Sequence, residues 1–361
     1  MSRVTLAASP TRTHAPTRTF FRGASRTFAS REFSVFAALA ILLIVTTVAN
    51  PRFLSPQGTK DLLLNSAIFV VMAVGETLVI ISRNVDLSVG SILGLTAFST
   101  GAVYSAFPHM PLIGIFVVGI VLGGILGAVN GLIVTTARVP ALVITLGTLY
   151  IFRGINNAWA GSTQYFVGND PQEFGNLSAQ TVFGIPLLAL IALAVTVIFA
   201  LYLYGARSGR DLYAIGSDPV AAELFGIRVR SRVILAFVVS GALSGLAGVL
   251  YASRFNSVGA DTGTGYELQI VAAVVVGGVA IFGGSGTVAG AAIGAVLLTT
   301  MTGALAALNV SKFWQQAIVG VLIIAAILIT KVISLRNSRR LRVSEAKAPG
   351  AAADDIEATH V

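Results

Sequence analysis

Long apolar stretches separated by short polar connections run through most of the chain. An α-helix that rises 1.5 Å per residue crosses a hydrocarbon core of about 30 Å in about 20 residues. Ten stretches approach or exceed that length, and the fifth is short enough that we expect it to be tilted, broken or extended past Arg153. The pattern predicts an all-α polytopic membrane protein of about ten transmembrane helices, at residues 34–48, 66–82, 88–107, 111–136, 140–152, 183–204, 233–253, 268–282, 287–308 and 313–330.

The composition agrees with lipid as the surrounding solvent. Hydrophobic residues make up 55% of the chain and charged residues only 11%, against about 25% charged in soluble domains. Cytoplasmic loops collect Lys and Arg, and an inside N-terminus puts 19 of these residues in inner segments and 5 in outer ones, the 24 of the chain. Both termini are therefore expected in the cytoplasm. The net charge of +9 reflects this orientation, and no nucleic-acid partner is expected.

The two ends of the chain differ from the apolar part between them. Residues 1–33 are rich in Arg, Ser and Thr and nearly free of acids, a composition shared by mitochondrial transit peptides and disordered arms. We favour a disordered cytoplasmic N-terminal arm. Residues 333–361 are predicted to form a disordered cytoplasmic tail. A single transmembrane domain is expected at residues 34–332, interrupted by a cytoplasmic loop at 205–232.

Glycines recur at four-residue spacing in several of the predicted helices. In lipid, such a ridge lets two backbones approach closely and gain dispersion contacts. The partner is either another helix of the same chain, which we favour, or a second subunit. The ridges consist of Gly119, Gly123, Gly127 and Gly131, of Gly286, Gly290 and Gly294, and of Gly241 with Gly245.

A few polar residues lie within or beside the apolar stretches, where each is costly unless it faces a cavity or a partner. Glu76 has three interpretations: a protonation site of an ion-coupled transporter, a group lining a polar solute path, or a buried structural carboxyl. Asp86 precedes an apolar run, so capping of the next helix is favoured over solute contact. The candidates for the lining of a translocation path are Glu76, Asn84, Asp86, Ser88, Asn130 and Gln269.

No pattern for soluble catalysis or metal binding is present in the sequence. The three histidines, His14, His109 and His360, lie in a tail, in an outer turn and among the last residues, and no phosphate-binding loop GxxxxGK[ST] occurs. We therefore expect no catalytic residue, no metal and no cofactor in this chain. The glycine-rich residues 277–290 predict a helix break at the inner face of the membrane.

The loop at 205–232 is the only long, charged and patterned connection. Asp218 is a predicted N-cap, Pro219 occupies the first helical position and Gly226 ends the short helix, while Gly209 and Gly216 are expected to punctuate the loop. An isolated helix of this length is unstable in water. Because acidic side chains are poor contacts for an anionic lipid surface, we expect the helix to dock on a protein partner.

Three stretches together resemble the permease subunits of ATP-binding-cassette importers for monosaccharides, the ribose, xylose and rhamnose branch. They are RNVDLSVGS at 83–91, GRDLYAIGSDPVAAELFGI at 209–227 and GGVAIFGGSGTVAG at 277–290, supported by FWQQAIVGVLII at 313–324. The resemblance spans residues 35–332. Arg83 and Asn84 stand where relatives usually have glycines, and Glu76 occupies a position more often uncharged.

The resemblance implies a ten-helix permease of the bacterial cytoplasmic (inner) membrane, paired with a second copy or a paralogue. Sugar would come from a soluble periplasmic or extracytoplasmic binding protein, and energy from cytoplasmic ATPase subunits that bind the ATP. Details of the first and last stretches favour a rhamnose-type or autoinducer-2-type permease over ribose. A stand-alone proton-coupled sugar transporter using Glu76 is the alternative. The implied ATPase-coupling residues are Arg210, Asp211, Asp218, Pro219, Ala222, Glu223 and Gly226.

Overall fold

The computed structural model describes residues 20–137, 139–166, 172–311, 313–318, 320–321 and 324. Helices dominate this part of the chain, as the apolar pattern predicts. In chain order they are α1 (Phe20–Ala49), α2 (Pro56–Ile81), α3 (Val89–Ala106), α4 (Leu112–Ala137), α5 (Ala141–Ala160), α6 (Gln172–Gly175), α7 (Leu187–Gly205), α8 (Arg207–Ser217), α9 (Pro219–Leu224), α10 (Val229–Phe255), α11 (Tyr266–Val276) and α12 (Val288–Ala307).

Six of the described helices are long and apolar enough to cross a membrane, namely α2, α3, α4, α7, α10 and α12. Shorter apolar helices occupy Ser34–Ala49 and Tyr266–Val276. The prediction of one continuous helix over 268–282 is wrong, because α11 ends at Val276 and irregular backbone follows it. Helix α5 extends past Arg153, as expected. The predicted helix at 313–330, the N-terminal arm and the C-terminal tail lie wholly or partly outside the described residues.

Helix α2 lies at the centre of the bundle. It contacts α7, α10, α11 and α12, and every residue from Val70 to Ile81 is buried. A helix that is apolar on all sides is either enclosed by protein or faces lipid. The packing places this part of α2 in the interior of the protein, and Glu76 is enclosed with it.

The glycine ridges of α4 and α10 face each other within the chain. A Cβ atom on Gly123 would overlap the carbonyl oxygen of Gly241, and one on Gly245 would overlap that of Gly119. This approach of two backbones is what small residues permit in lipid. The preferred prediction of packing within the chain is confirmed for this ridge. The ridge of α12 also packs within the chain, since a Cβ atom on Gly290 would overlap the Gly277 carbonyl oxygen.

Two short antiparallel strand pairs cover one end of the bundle. Strand β1 (Tyr165–Phe166) pairs with β4 (Ser257–Val258), and β2 (Thr181–Val182) pairs with β3 (Ile185–Pro186). They lie at the ends of helices that the charge distribution predicts to be extracytoplasmic. The opposite end carries α8 and α9, so the two faces of the bundle have different structures.

Candidate coupling surface and translocation path

The short helix predicted around Asp218 is present as α9. The Asp218 carboxylate accepts hydrogen bonds from the N–H groups of Val220 at 2.9 Å and Ala221 at 3.0 Å. Pro219 is the first helical residue, and Gly226 follows the helix with φ +79°, a conformation that glycine adopts readily. The predicted N-cap, first residue and stop are confirmed.

Gly209 and Gly216 do not punctuate the loop, and that prediction is wrong. Both lie buried inside α8, an amphipathic helix that precedes α9. A Cβ atom on Gly209 would overlap the Tyr202 carbonyl oxygen of α7, and one on Gly216 would overlap the Ile81 carbonyl oxygen at the end of α2. The two glycines therefore let α8 press its backbone against the transmembrane helices.

The three stretches that carry the resemblance meet at this end of the bundle. The N–H of Gly284 donates to the Ile81 carbonyl oxygen at 3.0 Å, and a Cβ atom on Gly284 would lie 2.7 Å from the Ser217 hydroxyl oxygen. The Tyr213 hydroxyl donates to the Gly286 carbonyl oxygen at 2.9 Å. Burial raises the pKa of Tyr213, so the phenol stays protonated and remains a donor. We call this contact between α8, the end of α2 and the 277–287 break the inner junction.

The exposed face of α9 and the turn after it combine apolar and acidic groups. Val220, Leu224 and Phe225 are 70%, 84% and 86% exposed, and Asp218 and Glu223 are exposed beside them. Scattered apolar side chains are common on surfaces, but a contiguous set rimmed by charges is typical of a contact site. We call these five residues the coupling surface. The prediction from sequence named only the two acids of this surface. Its apolar residues Leu224 and Phe225 were missed, although they follow Glu223 directly in the AELF run.

Three of the predicted ATPase-coupling residues have other roles in the structure. Ala222 is buried at 3% exposure, so its side chain is not available to a partner. Arg210 donates to the Gly205 carbonyl oxygen at 2.8 Å and so binds the end of α7. Asp211 forms a salt bridge of 2.8 Å with Arg232, which links α8 to α10. These contacts hold α8 and α9, which carry the coupling surface, against the neighbouring helices.

Four of the six predicted path residues form one buried cluster. The Glu76 carboxylate accepts the Asp86 N–H at 3.0 Å. Asp86 accepts from the Ser88 N–H at 2.9 Å and from the Ser88 hydroxyl at 2.7 Å. The Asn130 amide donates to the Ser88 hydroxyl oxygen at 2.7 Å. All four residues have 0% exposure, and none of them lines the cavities of about 470, 280, 430 and 440 Å³ in the described part of the chain.

The cluster therefore ties the connection between α2 and α3 to α4 and does not form an open path. Of the three interpretations of Glu76, its geometry matches the buried structural carboxyl. Asp86 is not the N-cap of α3, because the helix begins at Val89 after Ser88. Asn84 lies outside the same four cavities, and its amide donates to the Ser82 carbonyl oxygen at 2.9 Å, which closes a turn.

Of the six, only Gln269 lines one of these four cavities. This space of about 470 Å³ lies between the ends of α2, α11 and α12 that are farthest from the inner junction. We call it the outer cavity. Most of its polar groups were missed because they lie at separate helix ends that the sequence does not bring together. Its lining includes Asn50, Arg52, Asp61, Asn65, Tyr266, Gln269, Thr299, Thr302 and Gln315.

Comparison with known proteins agrees with this architecture. The family described as branched-chain amino acid transport system / permease component matches residues 58–327. The autoinducer 2 import system permease protein LsrC of Enterobacter sp. (strain 638) is 35% identical over 300 residues, covering 83% of this chain and 86% of that protein. LsrC of Escherichia coli O9:H4 (strain HS) is 32% identical over 313 residues, covering 87% and 90%. No solved structure matches the chain.

These matches confirm the resemblance to importer permeases that the sequence motifs carried. Together with the long apolar helices, they confirm a multi-pass protein of the bacterial cytoplasmic membrane, a transport component and not an enzyme. The family match covers α2 through α12, and hence the inner junction, the buried cluster and most of the outer cavity. The chain belongs to the family of permease components described for branched-chain amino acid transport systems.

Proposed function

We propose that this protein is the permease subunit of an ATP-binding-cassette importer and that it moves a monosaccharide-type solute inward. A separate cytoplasmic ATPase supplies the energy, and a soluble extracytoplasmic protein delivers the solute. The observation that carries the proposal is the coupling surface, an exposed apolar and acidic patch held rigidly on the inner junction. Such a patch suits a protein partner better than water or lipid headgroups.

The inner junction supports a mechanical link between that partner and the bundle. A force on α9 reaches α8 directly, and α8 contacts α2 through Gly216 and the 277–287 break through Tyr213. Closely packed helices shift between discrete arrangements instead of deforming smoothly. ATP-driven movement of the partner would thereby switch the bundle between outward-facing and inward-facing states.

The topology we propose has about ten spans with both termini in the cytoplasm. Residues 34–332 form the membrane domain, residues 1–33 and 333–361 are cytoplasmic extensions, and residues 205–232 are the coupling loop. The support is the excess of Lys and Arg in the segments assigned to the inside, 19 against 5 of the 24. The functional unit pairs this permease with a second copy or a paralogue.

The proposed solute is autoinducer 2 or a rhamnose-type sugar. The relatives that align over more than four-fifths of the chain are named for autoinducer 2 import, whereas the family description names branched-chain amino acids. The outer cavity favours a hydroxylated solute, because amides and hydroxyls dominate its polar lining. Its one acid, Asp61, is already paired with Arg254 at 2.7 Å, which leaves no unpaired carboxylate for an ammonium group, while Arg52 is the one cation in the lining.

A stand-alone proton-coupled sugar transporter is the second candidate, and it would use Glu76 as the proton site. The burial of Glu76 and its hydrogen bond to the Asp86 N–H speak against it, because a coupling carboxyl has to reach water on both sides in turn. Glu76 also lines none of the four cavities of about 470, 280, 430 and 440 Å³ in the described part of the chain.

Reconstituted vesicles separate the two candidates. The purified permease is inserted alone, or with its cognate ATPase and binding protein, and uptake of autoinducer 2 and of L-rhamnose is measured with ATP or with a pH gradient. The proposal expects uptake only with all three proteins and ATP. Uptake by the permease alone in response to the pH gradient would establish the alternative instead.

A further inference from the structure

We propose that the outer cavity is the chamber in which the permease holds its solute, and that Tyr266 and Gln269 of α11 contact a polyhydroxylated molecule without a cationic group there. The inference rests on the proposed function, and of the six predicted path residues only Gln269 lies in the outer cavity. The cavity's volume of about 470 Å³ falls within the range of about 300–1,000 Å³ that small-molecule sites occupy.

Polar groups in the chamber remain able to bind a solute. The Gln269 amide makes no hydrogen bond to any residue that the structure describes, so it offers both a donor and an acceptor. Asn65 accepts from Arg254 at 3.3 Å and keeps its amide donors. The Thr302 hydroxyl donates to the Thr299 carbonyl oxygen at 2.9 Å and keeps its acceptor capacity. Alternating donors and acceptors are what sugar hydroxyls require.

The carboxylate in the wall is already partnered. Asp61 lines the chamber and accepts from Arg254 at 2.7 Å, and the Gln57 amide donates to both of its carboxylate oxygens at 3.1 Å. A cationic solute would have to break this network or be buried without a partner, which is costly. Arg52 also lines the chamber and would repel a cation. The chamber therefore suits a solute without a cationic group.

Aromatic rings supply the apolar side of the chamber. Tyr266 packs on Phe69 with ring centroids 4.7 Å apart, and its ring lies 6.2 Å from that of Tyr251. Tyr251 lines a second polar cavity of about 430 Å³, formed by residues 161–164 and 257–262. The tyrosine pair thus stands between two polar spaces, and a sugar ring presents C–H faces that can pack on such rings.

Helix α11 joins the chamber to the inner junction. Its eleven residues span about 16 Å at 1.5 Å per residue. Tyr266 and Gln269 lie at its outer end, and its last residue, Val276, leads directly into the break that contacts Tyr213. Beneath the chamber, α2 is buried continuously from Val70 to Ile81 and packs against the helices around it. Movement at the inner junction would reach the chamber through α11.

Cysteine labelling tests this assignment cleanly, because the chain has no cysteine of its own. Gln269→Cys and Thr302→Cys are placed in the chamber, and Thr181→Cys, in an exposed strand outside it, is the matched control. Each variant, assembled with its partners in vesicles, is treated from outside with a bulky, membrane-impermeant thiol reagent. Uptake of autoinducer 2 and of L-rhamnose is then measured under whichever energy source drives the untreated protein.

All three variants are expected to react with the reagent from outside. Treatment should abolish uptake by Gln269→Cys and by Thr302→Cys, and it should leave uptake by Thr181→Cys unchanged. Unchanged uptake by fully labelled Gln269→Cys and Thr302→Cys would overturn the chamber, as would their failure to react while Thr181→Cys does. The test does not depend on the energy source that drives uptake. It can therefore rule out the outer cavity as the solute chamber while ATP-driven import stands, and it can support the chamber even if import is not driven by ATP. If Gln269→Cys already slows uptake before treatment, the effect of the reagent is measured on Thr302→Cys instead.

Discussion

The Tyr213 hydroxyl and the Gly286 carbonyl oxygen lie 2.9 Å apart, joined by a hydrogen bond that crosses from α8 to the glycine-rich break after α11. This bond connects the segment that carries the coupling surface to the segment that leads to the outer cavity. Both partners lie in stretches that the sequence marked separately, 73 residues apart. The relationship makes the inner junction the place where an external force would enter the bundle.

Removal of that hydrogen bond is expected to reduce the coupling of ATP hydrolysis to solute transport and to lower the stability of the protein only slightly. In Tyr213→Phe the ring stays in place, and the lost hydrogen bond costs about 0.5–1.5 kcal/mol of stability. We expect the assembly to hydrolyse ATP while moving less solute per ATP, which simultaneous uptake and ATPase assays measure. Tyr204→Phe is the control, since Tyr204 is 86% exposed. An unchanged ratio of solute moved to ATP hydrolysed in Tyr213→Phe would show that this hydrogen bond does not transmit movement from α8 to the break after α11.

A methyl group at Gly216 is expected to separate α8 from the bundle. The added Cβ atom in Gly216→Ala would overlap the Ile81 carbonyl oxygen and the Gly284 nitrogen, which are backbone atoms that cannot turn aside. Overpacking of this kind costs about 1–3 kcal/mol. We expect a lower thermal midpoint in detergent and loss of ATPase association in a pull-down.

Gly205→Ala is the matched control for that experiment, because a Cβ atom there meets nothing within 4 Å. Alanine is also the better helix former. The control should therefore melt at or above the midpoint of the unsubstituted protein. Equal behaviour of the two variants would contradict the close contact between α8 and α2.

The ridge between α4 and α10 gives a second paired test. Gly123→Ala would push a Cβ atom into the Gly241 carbonyl oxygen, whereas in Gly124→Ala the nearest atom, the Ala242 Cβ, lies at an ordinary 3.7 Å. We expect Gly123→Ala to lower the melting midpoint and the yield of folded protein, with Gly124→Ala neutral. The opposite order would mean that this ridge does not face α10.

Substitution of Glu76 distinguishes a structural carboxyl from a proton carrier. Glu76→Gln keeps an oxygen to accept the Asp86 N–H, so uptake and its pH profile are expected to stay unchanged. Glu76→Leu leaves that buried N–H without its acceptor, at a cost of about 1–3 kcal/mol, and should melt earlier. Loss of uptake in a stably folded Glu76→Gln protein would favour the proton-coupled alternative.

The sequence predicted what depends on local signals. Apolar length located the membrane helices, and the Asp-Pro pair with a later glycine located α9 and its cap. The sequence did not predict the role of a residue where contacts with distant segments determine that role. Gly216 looks like a loop residue until Ile81 and Gly284 are brought against it. Glu76 looks like a path residue until Asp86 and its neighbours enclose it.

The outer cavity was missed for the same reason. Its polar lining comes from the ends of α2, α11 and α12 and from the residues after α1, and no single segment shows a pattern of a binding site. Gln269 was among the predicted path residues, because it lies inside an apolar run. Long-range packing, which periodicity does not encode, brings these groups together.

The central claim is that energy enters through the coupling surface, and Glu223→Lys tests it most directly. The Glu223 side chain is exposed and makes no hydrogen bond or ion pair with any residue that the structure describes, so the reversed charge should leave the fold intact. ATP-dependent uptake is measured in vesicles that contain permease, ATPase and binding protein. We predict loss of ATPase binding and of uptake with an unchanged melting midpoint, whereas full ATP-dependent uptake by Glu223→Lys would contradict the account.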